Sequence, residues 1–211
     1  MRDIKNYRTD YEKHVLNRKD LYENPIQLFD VWLQEAINTI DKDANAFTLS
    51  TIDVNSFPSS RVVLLKEVSN DGFVFFTNYN SHKGQEMEVN PKVALNFFWP
   101  TLEKQVRIQA EVKKISNKES DAYFQSRPYK SKIAAWASEQ SSILKSRSTL
   151  EERYLLFSKK YPDHVPRPKH WGGFLAKPQK IEFWQGRSSR LHDRFCFVFS
   201  EGKWTAERLA P

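Results

Sequence analysis

Four stretches of this sequence gather residue types that grip flat, anionic molecules. The first is Ser60-Arg61-Val62-Val63-Leu64-Leu65-Lys66, an apolar run bracketed by two cations. In a strand, alternation puts Arg61, Val63 and Leu65 on one face, with Lys66 on the other face or at the strand end. Such a strand can lay its backbone along a flat ligand while the cations meet a phosphate. Solvated strand-end charges are the plainer alternative. The second stretch, Thr77-Asn78-Tyr79-Asn80-Ser81-His82-Lys83-Gly84, leaves a strand and opens a helix. Backbone N–H groups at a helix start, with Ser81, His82 and Lys83 around them, form a phosphate pocket. An ordinary capped turn accounts for the same residues equally well.

In the third stretch, Tyr123 and Arg127 stand four residues apart and share a helix face, which Ser131 continues if the turn at Pro128 allows. Phenol, guanidinium and hydroxyl together can read a phosphate, although an amphipathic surface helix would carry the same pattern. Trp136-Ala137-Ser138-Glu139-Gln140-Ser141 follows. The fourth stretch runs from Ile181 through Trp184, Arg187, Arg190 and His192 to Arg194. Its aromatic and guanidinium planes suit a flat heterocycle and exceed what a hairpin needs.

Other chemistries find little support. The five histidines (His14, His82, His164, His170, His192) show no H-x-H or H-E-x-x-H spacing, and the single Cys196 can build neither a thiolate cage nor an internal disulfide. No G-x-S-x-G elbow, G-x-G-x-x-G turn or P-loop is present. The net charge is +7, and residues 127–170 hold ten Lys/Arg against four Asp/Glu. A basic surface of this kind could serve nucleic acid, an anionic membrane or phosphorylated small molecules. Nucleic acid is the weaker reading, because the cations are interleaved with apolar strands instead of forming a stripe. The polar N-terminus lacks the apolar stretch of a signal peptide and no run is long enough to span a bilayer, so a soluble cytoplasmic protein is expected.

The elements that must hold these stretches can be read from periodicity. Residues 1–23 mix charges of both signs and read as a mobile arm, outside the core, that could close over an active site. Asn24 and Pro25 then cap and start a helix whose apolar face is Phe29, Trp32, Leu33, Ala36, Ile37 and Ile40, with Gln27 at capping-box spacing. Strands are expected at 46–52, 61–65, 73–77, 93–99 and 105–112, a helix at 81–90, and helices broken by Pro128 over 117–161. Strands at 172–177, 180–185, 194–200 and 204–209 complete the pattern. The clearest is 105–112, where Val106, Ile108, Ala110 and Val112 alternate with polar residues. Short turns between consecutive strands favour one α+β domain over 24–211 with an antiparallel sheet or barrel.

Taken in order, R-V-V-L-L-K, F-F-T-N-Y-x-S-x-K-G, Q-V-R at 105–107, Y-F-x-S-R-P-x-x-S, W-A-S-x-Q-S, W-G-G-F, E-F-W-Q-G-R-x-x-R-L-H-D-R and the terminal R-L-A-P resemble the pyridoxine (pyridoxamine) 5′-phosphate oxidase family over nearly the whole chain. The resemblance implies an FMN-binding split β-barrel, antiparallel with flanking helices, forming a homodimer with FMN at the subunit interface. It implies oxidation of pyridoxamine 5′-phosphate or pyridoxine 5′-phosphate to pyridoxal 5′-phosphate, with dioxygen as acceptor and hydrogen peroxide as product. A related split-barrel flavoprotein that acts on another substrate, or carries flavin or pyridoxal phosphate, is the alternative. By the resemblance, FMN contacts fall on Arg61, Val62, Val63, Leu64, Leu65, Lys66, Phe76, Thr77, His82, Lys83, Gln105, Gln140, Ser141, Trp184 and Arg194. Substrate contacts fall on Lys66, Tyr123, Arg127, Ser131, Arg190 and His192, with Arg8 and Tyr11 as a lid. Arg190 and His192 are the expected catalytic pair. Gln140, Ser141, Trp184 and Arg194 are expected from the subunit opposite the one supplying Arg61 and Lys83. The family commonly has Tyr at the place of Phe76 and Arg at the place of His82, so one hydroxyl and one permanent charge are missing here.

Overall fold

A computed structural model describes residues 5, 6 and 10–211 of the chain. Arg8 lies outside the described residues. Among the described residues eight strands and five α-helices follow one another: α1 (Pro25–Thr39), β1 (Ala46–Ile52), β2 (Pro58–Ser69), β3 (Gly72–Asn78), α2 (His82–Val89), β4 (Lys92–Trp99), β5 (Lys104–Lys114), α3 (Asn117–Ser126), α4 (Tyr129–Ala137), α5 (Arg147–Lys160), β6 (Trp171–Gln185), β7 (Asp193–Ser200) and β8 (Lys203–Leu209).

All strand pairings are antiparallel, in the order β3-β2-β1-β4-β5-β6-β7-β8, and β3 also pairs with β6. That extra pairing closes six strands into a barrel and leaves β7 and β8 as an extension, while β3 meets only the Leu65–Ser69 end of β2, so the Pro58–Leu64 part of β2 pairs with β1 alone. The long β6 makes this possible. Its first half, Trp171 to Ala176, pairs with β3, and its second half, Lys180 to Gln185, pairs with β7. Two strands are expected from sequence where one is found. Pro178 sits beside a register shift at Gln109/Ala110 on β5, which accommodates a residue that cannot donate to the ladder.

Alternation fills the barrel. Val106, Ile108 and Ala110 of β5 point inward with Phe73, Phe75, Leu95, Phe97 and Phe183, all nearly inaccessible. Helix α1 closes one end, its Asn24 side chain accepting the Ile26 N–H, and Phe29 wedges between Phe73 and Phe97 with ring centroids 4.9 Å away in each case. Ile37 departs from the expected apolar face, standing exposed on α1. The segment before α1 also differs from its reading as lying outside the core. Leu16 is buried among the core residues, and its N–H donates to Asp193 at 3.2 Å.

A second cluster lies outside the barrel. Phe124, Ile133, Val165 and Trp171 join α3, α4 and the start of β6, with Phe76, Tyr123 and Trp136 against them. This junction between barrel wall and helices positions the candidate site.

Candidate active site

β2 presents its two faces differently. Val63 and Leu65 pack inward, whereas Val62 and Leu64 are exposed and, with Lys66, form one wall of a cleft of about 800 Å3. The opposite wall comes from α3 and α4 through Tyr123, Arg127 and Ser131. Phe76, Thr77, Lys83, Gln140 and Trp171 line its floor. Phe76 projects there because its barrel partner across the ladder is Gly173, at which a Cβ would lie 2.8 Å from the Phe76 ring. Tyr123 on α3, Arg127 at the cap after it and Ser131 on α4 line the cleft together, although the expected common helix ends at Ser126, before the extended Arg127.

The cleft is lined by four cations, Arg61, Lys66, Lys83 and Arg127, and by no carboxylate among the described residues. They are held in different ways. Arg61 donates to Ser59 at 2.7 Å, to Glu86 at 3.1 Å and to Thr51, so most of its guanidinium is engaged within the protein. Burial works to raise the Glu86 pKa, but hydrogen bonds from Thr51 and Ser59 and the charge of Arg61 outweigh it and hold the carboxyl below its ordinary value. Lys83 is buried, with Ser81 and Gln140 oxygens each 3.4 Å from its Nζ; burial, then the charge of Arg61, pushes its pKa down. Arg127 Nη1 is buried with no hydrogen-bond partner among the described residues, and burial lowers the Arg127 pKa. An unpaired buried charge is costly, so the cleft favours an incoming anion.

A separate group sits at the far end of β6. Trp184 packs on His192 with ring centroids 4.6 Å apart, and Tyr11 meets both rings, at 5.7 and 5.9 Å. The backbone N–H of Arg187 donates to His192 Nδ1 at 3.1 Å, leaving Nε2 to carry the proton of the neutral ring. Burial, then the neighbouring Arg190 charge, lowers the His192 pKa. Arg190 is exposed on a turn where it and Ser189 both have positive φ, 61° and 55°. Consecutive left-handed residues other than glycine are strained and mark functional turns often enough to be informative. Arg194 is tied to Glu182 at 2.8 Å and to the Ala210 carbonyl at 2.7 Å, and Gln105 donates to Asn96 at 2.8 Å.

The chain thus brings together Arg61, Val62, Val63, Leu64, Lys66, Phe76, Thr77, Lys83, Tyr123, Arg127, Ser131 and Gln140. Gln105, Trp184, Arg190, His192 and Arg194 do not line this cleft. Three other expected contacts stand apart from it: Leu65 faces the core, His82 is exposed as the first residue of α2, and Ser141 is exposed. Gln140, expected from the opposite subunit, borders the cleft of its own chain. Its Oε1 lies 3.4 Å from Lys83 Nζ and 3.5 Å from Thr77 Oγ1 of the same chain. Trp171 and Glu86 were not anticipated as site residues; the W-G-G-F stretch was the available signal for the first.

A closed six-stranded antiparallel barrel with a two-stranded extension is the split-barrel class, and its carboxylate-free cleft suits phosphorylated ligands. Family models agree: one described as Pyridoxamine 5′-phosphate oxidase matches residues 33–155, and one described as Pyridoxine 5′-phosphate oxidase C-terminal dimerisation region matches residues 171–211. The chain belongs to the pyridoxamine 5′-phosphate oxidase family. It is 52% identical over 209 residues to the pyridoxine/pyridoxamine 5′-phosphate oxidase of Actinobacillus pleuropneumoniae serotype 5b (strain L20), covering 99% of this chain and 100% of that one. To the protein of the same name from Neisseria gonorrhoeae (strain ATCC 700825 / FA 1090) it is 48% identical with the same coverage. Among solved structures, PhzG from Burkholderia lata 383, in complex with tetrahydrophenazine-1-carboxylic acid, superposes with a TM-score of 0.88 at 26% identity, covering 93% of this chain and 98% of that one. No helix among the described residues is long and apolar enough to cross a membrane.

Proposed function

We propose that this chain oxidises the 4′ carbon of pyridoxine 5′-phosphate or pyridoxamine 5′-phosphate to the aldehyde of pyridoxal 5′-phosphate, with FMN as its cofactor and the complete site formed by two subunits. The observation that carries the reading is a cleft lined by four cations and by no carboxylate among the described residues, one of those cations, Arg127, having its Nη1 buried without a hydrogen-bond partner among them. Two phosphorylated ligands need such a surplus of positive charge, and about 800 Å3 falls in the range of sites for flat organic ligands. FMN, when bound, supplies the acceptor for the hydride leaving C4′ and passes the electrons to dioxygen, giving hydrogen peroxide.

The chain's own residues divide the work. Lys83, Arg61 and Thr77 hold the cofactor phosphate, and the exposed apolar edges of Val62 and Leu64 face its ring system. Tyr123, Arg127, Ser131 and Lys66 hold the substrate phosphate. Their convergence supports a phosphorylated substrate over an unphosphorylated one. Arg190 covers the pyridine ring, and His192 orients the substrate by donating from Nε2. The alcohol gives up a hydride and a proton. The amine also takes up water and releases ammonia.

The partner subunit enters because Trp171 and Trp184 stand near opposite ends of β6. At about 3.3 Å per residue, they are separated by up to about 40 Å along the strand. Trp184 and its neighbours His192, Arg190 and Arg194 therefore serve the cleft of a second copy, which fits the dimerisation-region match over 171–211. The decisive experiment is a visible spectrum of the purified protein. Bound flavin is expected, bleached by pyridoxamine 5′-phosphate without air and restored by oxygen; a colourless protein that takes up no FMN would overturn the assignment.

The lowered His192 pKa sets a pH expectation. Because its charged form is disfavoured, the loss of the His192 contribution to kcat/KM as pH falls is expected below the ordinary imidazole pKa. Comparison of pH profiles with His192→Asn isolates this limb. A limb in the ordinary range that disappears in the variant would contradict the neutral-donor role.

A further inference from the structure

We infer that Trp171 is a positioning residue for the substrate phosphate: its indole face carries the Arg127 guanidinium where a carboxylate would otherwise stand, so the charge reaches the cleft fixed but uncompensated. The inference rests on the reading that Arg127 meets that phosphate. Other half-buried guanidinium groups of this molecule are paired with acids, Arg61 with Glu86 at 3.1 Å and Arg194 with Glu182 at 2.8 Å. Arg127 forms no ion pair among the described residues. Instead its Cζ stands 4.5 Å from the centroid of the Trp171 ring and 5.6 Å from that of Phe124.

A carboxylate partner would fix the guanidinium but cancel much of its field and occupy its donors. An aromatic face attracts the cation through the ring quadrupole and leaves every N–H in the guanidinium plane available. The indole is itself well anchored. Trp171 is buried at the start of β6, pairs with Asn78, and its carbonyl accepts from Arg167 at 2.6 Å. Its ring is within 13° of parallel to Phe76 and within 6° of Tyr123. The result is a rigid platform under the Arg127 side chain, which lowers the ordering cost of binding.

The test compares Trp171→Leu, Trp171→Phe, Arg127→Ala and the Arg127→Ala/Trp171→Leu double variant. It reads KM and kcat for pyridoxine 5′-phosphate, the inhibition constant of unphosphorylated pyridoxine, and the FMN dissociation constant. Loss of a cation–π contact corresponds to roughly a 2- to 30-fold rise in KM for Trp171→Leu. A smaller rise is expected for Trp171→Phe, with kcat, FMN affinity and pyridoxine inhibition close to wild type. In the Arg127→Ala background Trp171→Leu should add nothing. An equal effect on pyridoxine, or a rise in KM that persists without Arg127, would overturn the inference and make Trp171 a ring or packing contact. If Arg127→Ala itself leaves KM unchanged, the phosphate assignment fails first and takes the inference with it. Should Trp171→Leu not fold, Trp171→Tyr and Trp171→Phe decide the matter: KM should rise as the π-face weakens from indole through phenol to phenyl, and equal KM values would overturn it.

Discussion

Replacing Arg127 by alanine is expected to raise KM for pyridoxine 5′-phosphate by roughly 30- to 900-fold while leaving kcat near its original value. The magnitude follows from truncating one partner of a desolvated charge pair, about 2 to 4 kcal/mol. The direction follows from where the contact acts. The phosphate is remote from C4′ and is held alike before and during hydride loss, so removing its ligand costs binding in both states equally. A second consequence separates this from general damage. Arg127 Nη1 is buried without a hydrogen-bond partner among the described residues, so the alanine variant sheds an uncompensated charge. Its melting temperature without substrate should equal or exceed that of the natural protein, a small case of stability given up for function. Steady-state kinetics and a thermal melt check both. A loss confined to kcat, or a strongly destabilised variant, would show that Arg127 serves the fold and not the phosphate.

Much of the barrel could be read directly because its strands obey period two with one face buried. β5 is the plainest case, and β1 falls on the expected residues, Ala46–Ile52. The join at Pro178 was not legible. Proline reads as a break, and only the register shift on the neighbouring strand, a property of the assembled sheet, lets β6 run through it. Leu16 was hidden for a similar reason. A single apolar residue in a charged segment has no periodicity, and its burial depends on the distant carboxylate of Asp193 accepting the Leu16 N–H. In the site, the spacing of Tyr123, Arg127 and Ser131 pointed to a common face but left a phosphate site and a surface helix both open to that pattern, and the helix break between Ser126 and Tyr129 is what brings the three together. The engagement of Arg61 was not, because Glu86, Thr51 and Ser59 approach it from α2, β1 and β2. The indole under Arg127 is likewise 44 positions further along the chain, beyond any local pattern.

Mixing two weakened variants is expected to restore activity. Arg127→Ala damages the cleft wall on α3, whereas Arg190→Ala damages the turn before β7, at the other end of β6. If each site takes its cleft from one subunit and its Arg190 from the other, a heterodimer of the two holds one site with both lesions and one with neither. Subunit exchange at equal concentrations gives half heterodimers, so roughly a quarter of the natural site number should return in a symmetric dimer. Assayed at substrate far below KM, where both parents are nearly silent, that is a large gain over either alone. Arg190 is exposed, so its loss should leave folding and FMN binding intact and make the readout specific to the substrate side. Exchange must be shown independently, for example by mass spectrometry of differently tagged chains. Proven heterodimers without recovered activity would mean that cleft and turn belong to one site within a single chain, with the β6 strand bent far more sharply than its pairing with β5 allows.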